Sequence, residues 1–336
     1  MVVLGSILAL VVAAGALYQF VGARQSARRY RPPGTTIDVG GQPLHVVCAG
    51  DGRPAVVFES GVAASSLSWI RVAADAAAFT RTCAYDRAGL GWSPPARAPR
   101  TVERMAAELG GVLAHASPHA PAVLVGHSFG AFLACIYASM CPDRVAGLVL
   151  LDPPTEWRRI TRRQAQLLRG GIQLSRLGGI LARVGVVRAC LSLLTGGAPG
   201  VPRGVVRVFG PTAARTVEHL VGEVRKLPAD VHPVVQAIWC QPKCFRAMAD
   251  HLAALEATGE AVDRVRSLAD APLVVISSGD QPPETLEQHR ELARLSSAGR
   301  HIVASRSRHW IQFDEPELVV HAIQEIVERV RHTSAA

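Results

Sequence analysis

Apolar and polar residues alternate along this chain with two different periods. Short apolar runs rich in β-branched residues predict buried strands at 55–58, 80–85, 122–125, 145–151, 272–278 and 301–304. Longer amphipathic or apolar stretches predict helices at 63–79, 101–116, 129–140, 283–295 and 315–331. Two further runs, 35–39 and 43–48, flank Gly40-Gly41 and predict a β-hairpin. The alternation of strands and helices predicts an α/β protein with a mostly parallel, doubly wound sheet.

Residues 153–270 interrupt this alternation. They contain no clear strand and many helical runs, separated by breaks at Gly196-Gly197, Pro199-Gly200, Pro228 and Pro233. The first half is strongly basic, and Glu156 is its only acidic residue. Among its leucine, isoleucine and valine residues it carries Arg158, Arg159, Arg162, Arg163, Arg169, Arg176, Arg183 and Arg188. This pattern is typical either of a solvated basic face or of a surface that rests on anionic lipid.

The amino-terminal segment is long and apolar. Val2 to Gly22 is broken only by Ser6 and Gln19, and about 20 such residues can cross a bilayer. A cleaved signal peptide would carry positive charge before the apolar run, where this chain has none, so we favour a retained anchor at 1–23. A basic, proline-containing linker follows at 24–34, with arginines at Arg24, Arg28, Arg29 and Arg31. Positive residues favour the cytoplasmic side, so we expect a single-pass anchor with its catalytic domain in the cytoplasm.

Composition and charge narrow the classes of partner. The net charge of +9 would favour binding to nucleic acid. Only 5% of residues are aromatic, however, and the sequence contains no known nucleic-acid-binding motif, so nucleic acid is not expected as a partner. A membrane surface is the favoured acidic partner.

The seven cysteines are scattered and odd in number, which favours reduced, buried thiols and fits a cytoplasmic domain. Cys240 and Cys244 have no second ligand cluster nearby, and the Gly-rich turn at 86–93 lacks the spacing of a phosphate loop. Neither a metal nor an organic cofactor is expected.

The strand at 122–125 and the helix at 129–140 are joined by Gly126-His127-Ser128-Phe129-Gly130. A Gly-x-Ser-x-Gly sequence in this context predicts a nucleophile elbow, in which a strained turn exposes the serine hydroxyl. Glycines are needed two residues before and after the serine, because side chains there would collide. Ser128 is therefore the candidate nucleophile.

Several motifs together resemble the α/β-hydrolase superfamily. They are the hairpin, the Ser60-Gly61-Val62 turn, the 85–93 segment that begins Tyr85-Asp86-Arg87, the Ser128 elbow and a late strand followed by a histidine. The resemblance implies a hydrolase core at 35–152 and 271–333 and an inserted helical cap at 153–270. A serine nucleophile argues against haloalkane dehalogenase and epoxide hydrolase chemistry, since those relatives use a carboxylate at this position.

The resemblance also implies the partners of Ser128. His309 lies beyond the last predicted strand, where the family places its catalytic histidine, and we expect it to be the general base. The acid that orients it is expected to be Asp280, with Asp152 as the alternative. Relatives often have two residues between the glycine and this acid, whereas Asp280 directly follows Gly279. Asp86 is expected instead to pair with Arg87.

The expected oxyanion donors are two backbone N–H groups. One belongs to Phe129, directly after the nucleophile, and the other to Val62, after Ser60-Gly61. These residues predict a membrane-anchored serine hydrolase, carboxylesterase-like or lipase-like, that cleaves a small lipophilic acyl ester through an acyl-enzyme. Thioester or amide hydrolysis, acyl transfer, and a non-catalytic relative that binds an apolar ligand are the alternatives.

Overall fold

Eight strands form one sheet in the part of the chain that the computed structural model describes, residues 2–158, 160–195 and 224–335. The strands are β1 (Thr35–Val39), β2 (Gln42–Ala49), β3 (Val56–Glu59), β4 (Thr82–Asp86), β5 (Ala122–His127), β6 (Val145–Leu151), β7 (Leu273–Ser278) and β8 (Gly299–Ala304). Their order across the sheet is β1-β2-β4-β3-β5-β6-β7-β8. β2 pairs antiparallel with both β1 and β4, and every later pair is parallel. The predicted mostly parallel sheet is therefore present.

The two faces of the sheet are covered by different helices. Leu124 of β5 belongs to one apolar cluster, which includes side chains of α3 (Val102–Ala116), α4 (Phe129–Met140) and α9 (Pro283–Ala293). Its neighbours Val123 and Val125 belong to a second cluster with α2 (Ile70–Ala76) and α11 (Pro316–Ala335). Successive side chains of a strand point to opposite faces, so both faces of β5 are buried. Such burial on both sides explains why these strands are continuous apolar runs.

The predicted elements agree with the observed ones except at 63–79. α4 and β6 have the predicted bounds, whereas α2 begins only at Ile70, after a turn of 3-10 helix at Ser66–Trp69. Ala63 has a φ of 57°, outside the helical region, which prevents the helix from starting there. The short α10 (Ile311–Asp314) lies between β8 and α11.

The chain divides into two compact units. Residues 33–172 with 250–336 contain the sheet, and residues 1–32 with 173–249 form the second unit. The division differs from the predicted cap at 153–270, because both ends of that segment belong to the sheet unit. There Arg158 Nε donates to Asp263 Oδ1 at 2.5 Å, and a Cβ at Gly259 would lie 2.9 Å from Cα of Arg158. The predicted breaks at Gly196-Gly197 and Pro199-Gly200 lie outside the described residues, as does Arg159.

The described part of the cap is helical, as predicted. It contains α5 (Arg162–Arg183), α6 (Val186–Thr195), α7 (His232–Trp239) and α8 (Pro242–Asp263). The amino-terminal helix α1 (Val2–Arg29) continues through most of the predicted linker and ends just before Pro32-Pro33. Among the described residues it is the one helix long and apolar enough to cross a membrane, a property shared by anchors and signal sequences.

The prediction of reduced thiols is wrong for two of the seven cysteines. Cys48 and Cys83 are opposite residues of the antiparallel pair β2 and β4, with Cα atoms 4.1 Å apart, and they form a disulfide. The sheet order brings them together across a sequence separation of 35. The other five cysteines, all among the described residues, are not part of a disulfide: Cys135, Cys141, Cys190, Cys240 and Cys244. The argument from unpaired cysteines for a cytoplasmic domain therefore fails for this pair.

Candidate active site

Ser128 stands at a sharp turn between β5 and α4. Its φ of 53° and ψ of −122° are rarely adopted by a residue with a side chain, as expected for a strained elbow. A Cβ at Gly126 would lie 2.6 Å from Cα of Ala131, and one at Gly130 would lie 2.5 Å from the Ser60 carbonyl oxygen. Both contacts are with backbone, so the crowding argument for the two glycines holds in the structure.

The histidine and one carboxylate meet beside the ends of β6 and β7. His309 Nδ1 lies 2.7 Å from Asp152 Oδ2. Asp152, which directly follows β6, is buried and also accepts from the Ser278 N–H at 3.0 Å and from Gln281 Nε2 at 2.9 and 3.0 Å. Burial raises the pKa of Asp152, but the hydrogen bonds from His309 and Ser278 outweigh it, so the pKa lies below its usual value. Asp152 is therefore an ionised partner for His309 at neutral pH.

Asp280, the preferred acid in the sequence, does not contact His309 in the described hydrogen bonds. Its carboxylate is on the exposed turn after β7 and accepts from the Ser278 hydroxyl at 2.9 Å. The difference arises from strand order, because β6 lies directly beside β5, which carries the elbow, whereas β7 is one strand further away. The structure thus pairs His309 with Asp152 and reverses the order of preference. The chain order of serine, acid and histidine is unchanged.

His127 holds the His309 loop next to the elbow. Its Nε2 lies 2.7 Å from the His309 carbonyl oxygen, and its ring centroid is 4.7 Å from that of His309 and 4.8 Å from that of Trp310. Burial, and then the nearby His309, lower the pKa of His127 to about 3. The neutral ring must carry its proton on Nε2, since a carbonyl only accepts. His127 is thus a fixed donor that ties the histidine loop to the residue before the nucleophile.

The Ser60-Gly61-Val62 turn lies against the elbow. A Cβ at Gly61 would lie 3.4 Å from Cβ of Ser128 and 3.1 Å from Nδ1 of His127. Phe129, the other expected donor, is the buried first residue of α4. The turn that leads into Val62 thus lies beside Ser128, and Phe129 follows Ser128 in the chain.

A buried charged group that the sequence did not reveal supports this turn. Arg87 donates from Nη1 to Glu59, from Nη1 to the Ser60 carbonyl at 2.5 Å, and from Nη2 to the Gly61 carbonyl. The Tyr85 hydroxyl donates to the second oxygen of Glu59. Burial raises the pKa of Glu59, although Arg87 and Tyr85 act to lower it. Glu59 and Arg87 lie at the carboxyl ends of the neighbouring parallel strands β3 and β4, but that neighbourhood is not visible in the sequence.

The expectation that Asp86 pairs with Arg87 is wrong. Asp86 is within 2.8 Å of His45 Nδ1 and accepts from the backbone N–H groups of Ser66 at 2.7 Å and Trp92 at 2.9 Å. Consecutive residues of a strand point to opposite faces, so the two side chains diverge at the end of β4. Asp86 therefore shapes two loops, and Arg87 is free to bind Glu59 and the Ser60-Gly61 carbonyls.

His251, on α8, is fully buried. Its ring centroid lies 5.6 Å from that of Phe129. Burial, together with the charges of Arg87 and Arg100, holds its pKa well below the usual value. His251 is thus a neutral ring that packs against the residue after the nucleophile. No group of three or more potential metal ligands occurs within residues 2–158, 160–195 and 224–335.

The chain is similar to known proteins of the α/β-hydrolase fold. Residues 54–186 match the model of the α/β-hydrolase fold family. A fungal α/β-hydrolase superfamily protein from Gibberella zeae is 25% identical over 304 residues, 83% of this chain and 88% of its own length. Lipase LipV of Mycobacterium tuberculosis is 40% identical over 111 residues, 33% of this chain and 41% of the lipase. The thermophilic esterase from Thermogutta terrifontis superposes with a TM-score of 0.62 at 20% identity, over 88% of this chain and 97% of the esterase.

The chain therefore has the α/β-hydrolase fold. Its likeness to the esterase shows the fold alone, and the match to the lipase spans less than half of that protein. Substrate and reaction have to be argued from the residues of this chain.

Proposed function

We propose that this protein is a serine hydrolase that cleaves acyl esters, with Ser128 as nucleophile, His309 as general base and Asp152 as the orienting acid. The observation that carries the proposal is the strained Ser128 elbow together with the 2.7 Å contact between His309 and buried Asp152. Neither feature is required for a stable core. The elbow in particular costs about 1–3 kcal/mol of backbone strain.

The proposed reaction assigns one role to each of these residues. Asp152 accepts a hydrogen bond from the Nδ1–H of His309, which leaves the Nε2 lone pair of His309 to take the Ser128 hydroxyl proton. The serine oxygen attacks the acyl carbonyl, and the N–H groups of Phe129 and Val62 stabilise the negative charge on its oxygen. The protonated His309 gives its proton to the leaving alcohol as the acyl-enzyme forms. Water then attacks the acyl-enzyme with His309 again as base, which releases the acid and restores Ser128.

Lipophilic esters are the proposed substrate class. The exposed apolar helix α1 and the arginine-rich α5 favour a lipid surface as the source of substrate. LipV is a relative named as a lipase, which supports esters before amides. Thioester hydrolysis, transfer of the acyl group to another acceptor, and non-catalytic binding of an apolar ligand are the competing functions.

A chain-length series of p-nitrophenyl esters, from acetate to palmitate, tests the proposal. We expect hydrolysis that rises toward medium or long chains and disappears in Ser128→Ala. Short-chain preference would contradict the lipophilic substrate class. Equal rates in wild type and Ser128→Ala would overturn the assignment of the nucleophile.

We also propose that α1 is a retained membrane anchor. Its amino-terminal half exposes its apolar side chains, whereas its carboxyl-terminal half packs within its own unit: Gln19 Nε2 donates to the Cys240 carbonyl at 2.9 Å, and Arg188 Nε donates to Gln19 Oε1 at 3.0 Å. A Cβ at Gly22 would lie 2.8 Å from the Arg188 side chain. A segment destined for cleavage would not need these buried polar contacts.

Two features of the chain have opposite implications for the compartment of the catalytic domain. The arginines that follow the apolar run favour the cytoplasm, whereas the Cys48–Cys83 disulfide is typical of an oxidising compartment. Alkylation of whole cells before lysis, followed by mass spectrometry without reduction, separates the two. Alkylated Cys48 and Cys83 would support the cytoplasmic side, and an intact crosslinked peptide would exclude it.

A further inference from the structure

The peptide between Gly61 and Val62 is held from one side by a buried cation. Arg87 is only 2% exposed, and its guanidinium donates to both the Ser60 and the Gly61 carbonyl oxygens. Glu59, fully buried, fixes the guanidinium through Nη1, and the Trp69 indole N–H donates to the Ser60 hydroxyl at 3.1 Å. The turn that precedes Val62 is thus bound at two consecutive carbonyls and one side chain.

The direction of the Val62 N–H follows from the geometry of a peptide bond. A trans peptide is planar, so the Gly61 carbonyl and the Val62 N–H point in opposite directions. Because Arg87 binds that carbonyl, the N–H is directed away from the guanidinium. The turn also borders Ser128, since a Cβ at Gly61 would lie 3.4 Å from Cβ of the serine.

We propose that Arg87 is a positioning residue, which aims the Val62 N–H at the oxyanion and polarises its peptide. A cation that donates to a carbonyl oxygen draws electron density through the amide. The N–H on the other side of the peptide becomes a stronger hydrogen-bond donor as a result. Arg87 Cζ also lies 5.4 Å from the Phe129 ring centroid, beside the residue that supplies the second donor. This inference rests on the proposed serine hydrolase activity, because an oxyanion site has a function only if Ser128 attacks a carbonyl.

A purely structural role makes a different prediction for the same contacts. A buried ion pair can simply hold a fold together, and the chain contains a matched example in Arg100 and Glu108, a bidentate buried pair whose described hydrogen bonds do not involve residues 60–62. If Arg87 were equivalent to Arg100, replacing either would change stability and leave the chemical step alone. The two arginines therefore provide a test and its control.

The experiment compares Arg87→Lys with Arg100→Lys on the ester that the wild type cleaves fastest. A lysine keeps the charge, but its single ammonium cannot reproduce the planar fork that binds two carbonyls and Glu59. We expect Arg87→Lys to lower kcat by about 10- to 100-fold with KM within about twofold, because the oxyanion donors act in the transition state. Arg100→Lys should keep wild-type kcat even where its melting temperature falls.

A boronic acid inhibitor supplies a second readout. Its tetrahedral serine adduct places an oxygen where the oxyanion forms, so its affinity should fall in Arg87→Lys by a factor similar to the loss in kcat. Wild-type kcat and inhibitor affinity in folded Arg87→Lys would overturn the inference. Should that variant not fold, Glu59→Gln, which loosens the guanidinium, should lower kcat with unchanged KM, and wild-type kcat there would equally refute it. The proposed function fails separately, if Ser128→Ala remains active.

Discussion

At the scale of single residues, the site depends on two positions with left-handed backbone. Ser128 has a φ of 53° and Asp152 a φ of 42°, each directly after a parallel strand of the sheet. The serine lies between β5 and α4, and the aspartate between β6 and the segment that follows it. Such sparsely populated conformations cluster at functional sites, and here they occur at the proposed nucleophile and at the carboxylate that contacts His309.

The choice of acid is tested by paired substitutions. Asp152→Asn should lower kcat by about 10³- to 10⁴-fold, because the amide favours the wrong tautomer of His309. Asp280→Asn should leave kcat within about threefold, since the described bond of Asp280 is to the Ser278 hydroxyl. Steady-state kinetics on one ester measures both. A large loss in Asp280→Asn with a small loss in Asp152→Asn would restore the preference suggested by the sequence.

His127 should make stability depend on pH. The pKa of His127 is about 3 in the folded chain and 6.5 in the unfolded chain. Between these two pH values, His127 is therefore protonated in the unfolded chain and neutral in the folded chain. The free energy of unfolding therefore falls as pH drops from about 6.5 toward 3, by at most about 1.4 kcal/mol per pH unit. His127→Gln retains a donor for the His309 carbonyl but does not titrate. Urea unfolding at pH 6.5 and pH 4 should show a smaller loss in the variant, and equal losses would contradict the assignment.

At the scale of elements, the sequence predicted what depends on local pattern. The bounds of α4 and β6 could be predicted because each is an uninterrupted apolar run between strong breakers. The helix expected at 63–79 could not, because the positive φ of Ala63 is set by the turn beside the elbow. The Cys48–Cys83 disulfide, the Glu59–Arg87 pair and the choice of Asp152 all depend on which strands are neighbours in the sheet, and no single stretch of sequence contains that information.

The close approach of the elbow to the 59–60 backbone gives an element-scale prediction. Gly130→Ala should destabilise the protein by about 1–3 kcal/mol, because the new methyl group meets the carbonyls of Glu59 and Ser60. Gly170→Ala, in α5, is the control: a Cβ there meets nothing within 4 Å, and alanine should stabilise the helix by about 0.5–1 kcal/mol. Denaturant unfolding measures both. Equal effects would show that the elbow is not tightly packed.

At the scale of the whole molecule, the net charge of +9 and the apolar helix α1 together favour a protein that works at a membrane. The anchor proposal predicts that the full-length protein remains in membranes after carbonate extraction. The double substitution Leu8→Arg and Val11→Arg, at side chains 64% and 63% exposed, should release it. Ile70→Arg on α2 is the matched control, at an exposed apolar residue of the sheet unit, and should not. Release of the wild type, or a mature amino terminus beyond residue 23, would contradict a retained anchor.

Labelling by a fluorophosphonate probe tests the central claim most directly. Wild type, Ser128→Ala, His309→Ala and Asp152→Asn would be treated with the probe, and mass spectrometry would locate the adduct. The account predicts one adduct on Ser128, absent in Ser128→Ala, lost or nearly lost in His309→Ala, and much slower to form in Asp152→Asn. A folded wild-type protein without an adduct, or an adduct on another serine that persists in Ser128→Ala, would contradict the assigned triad and favour a non-catalytic protein or a different site.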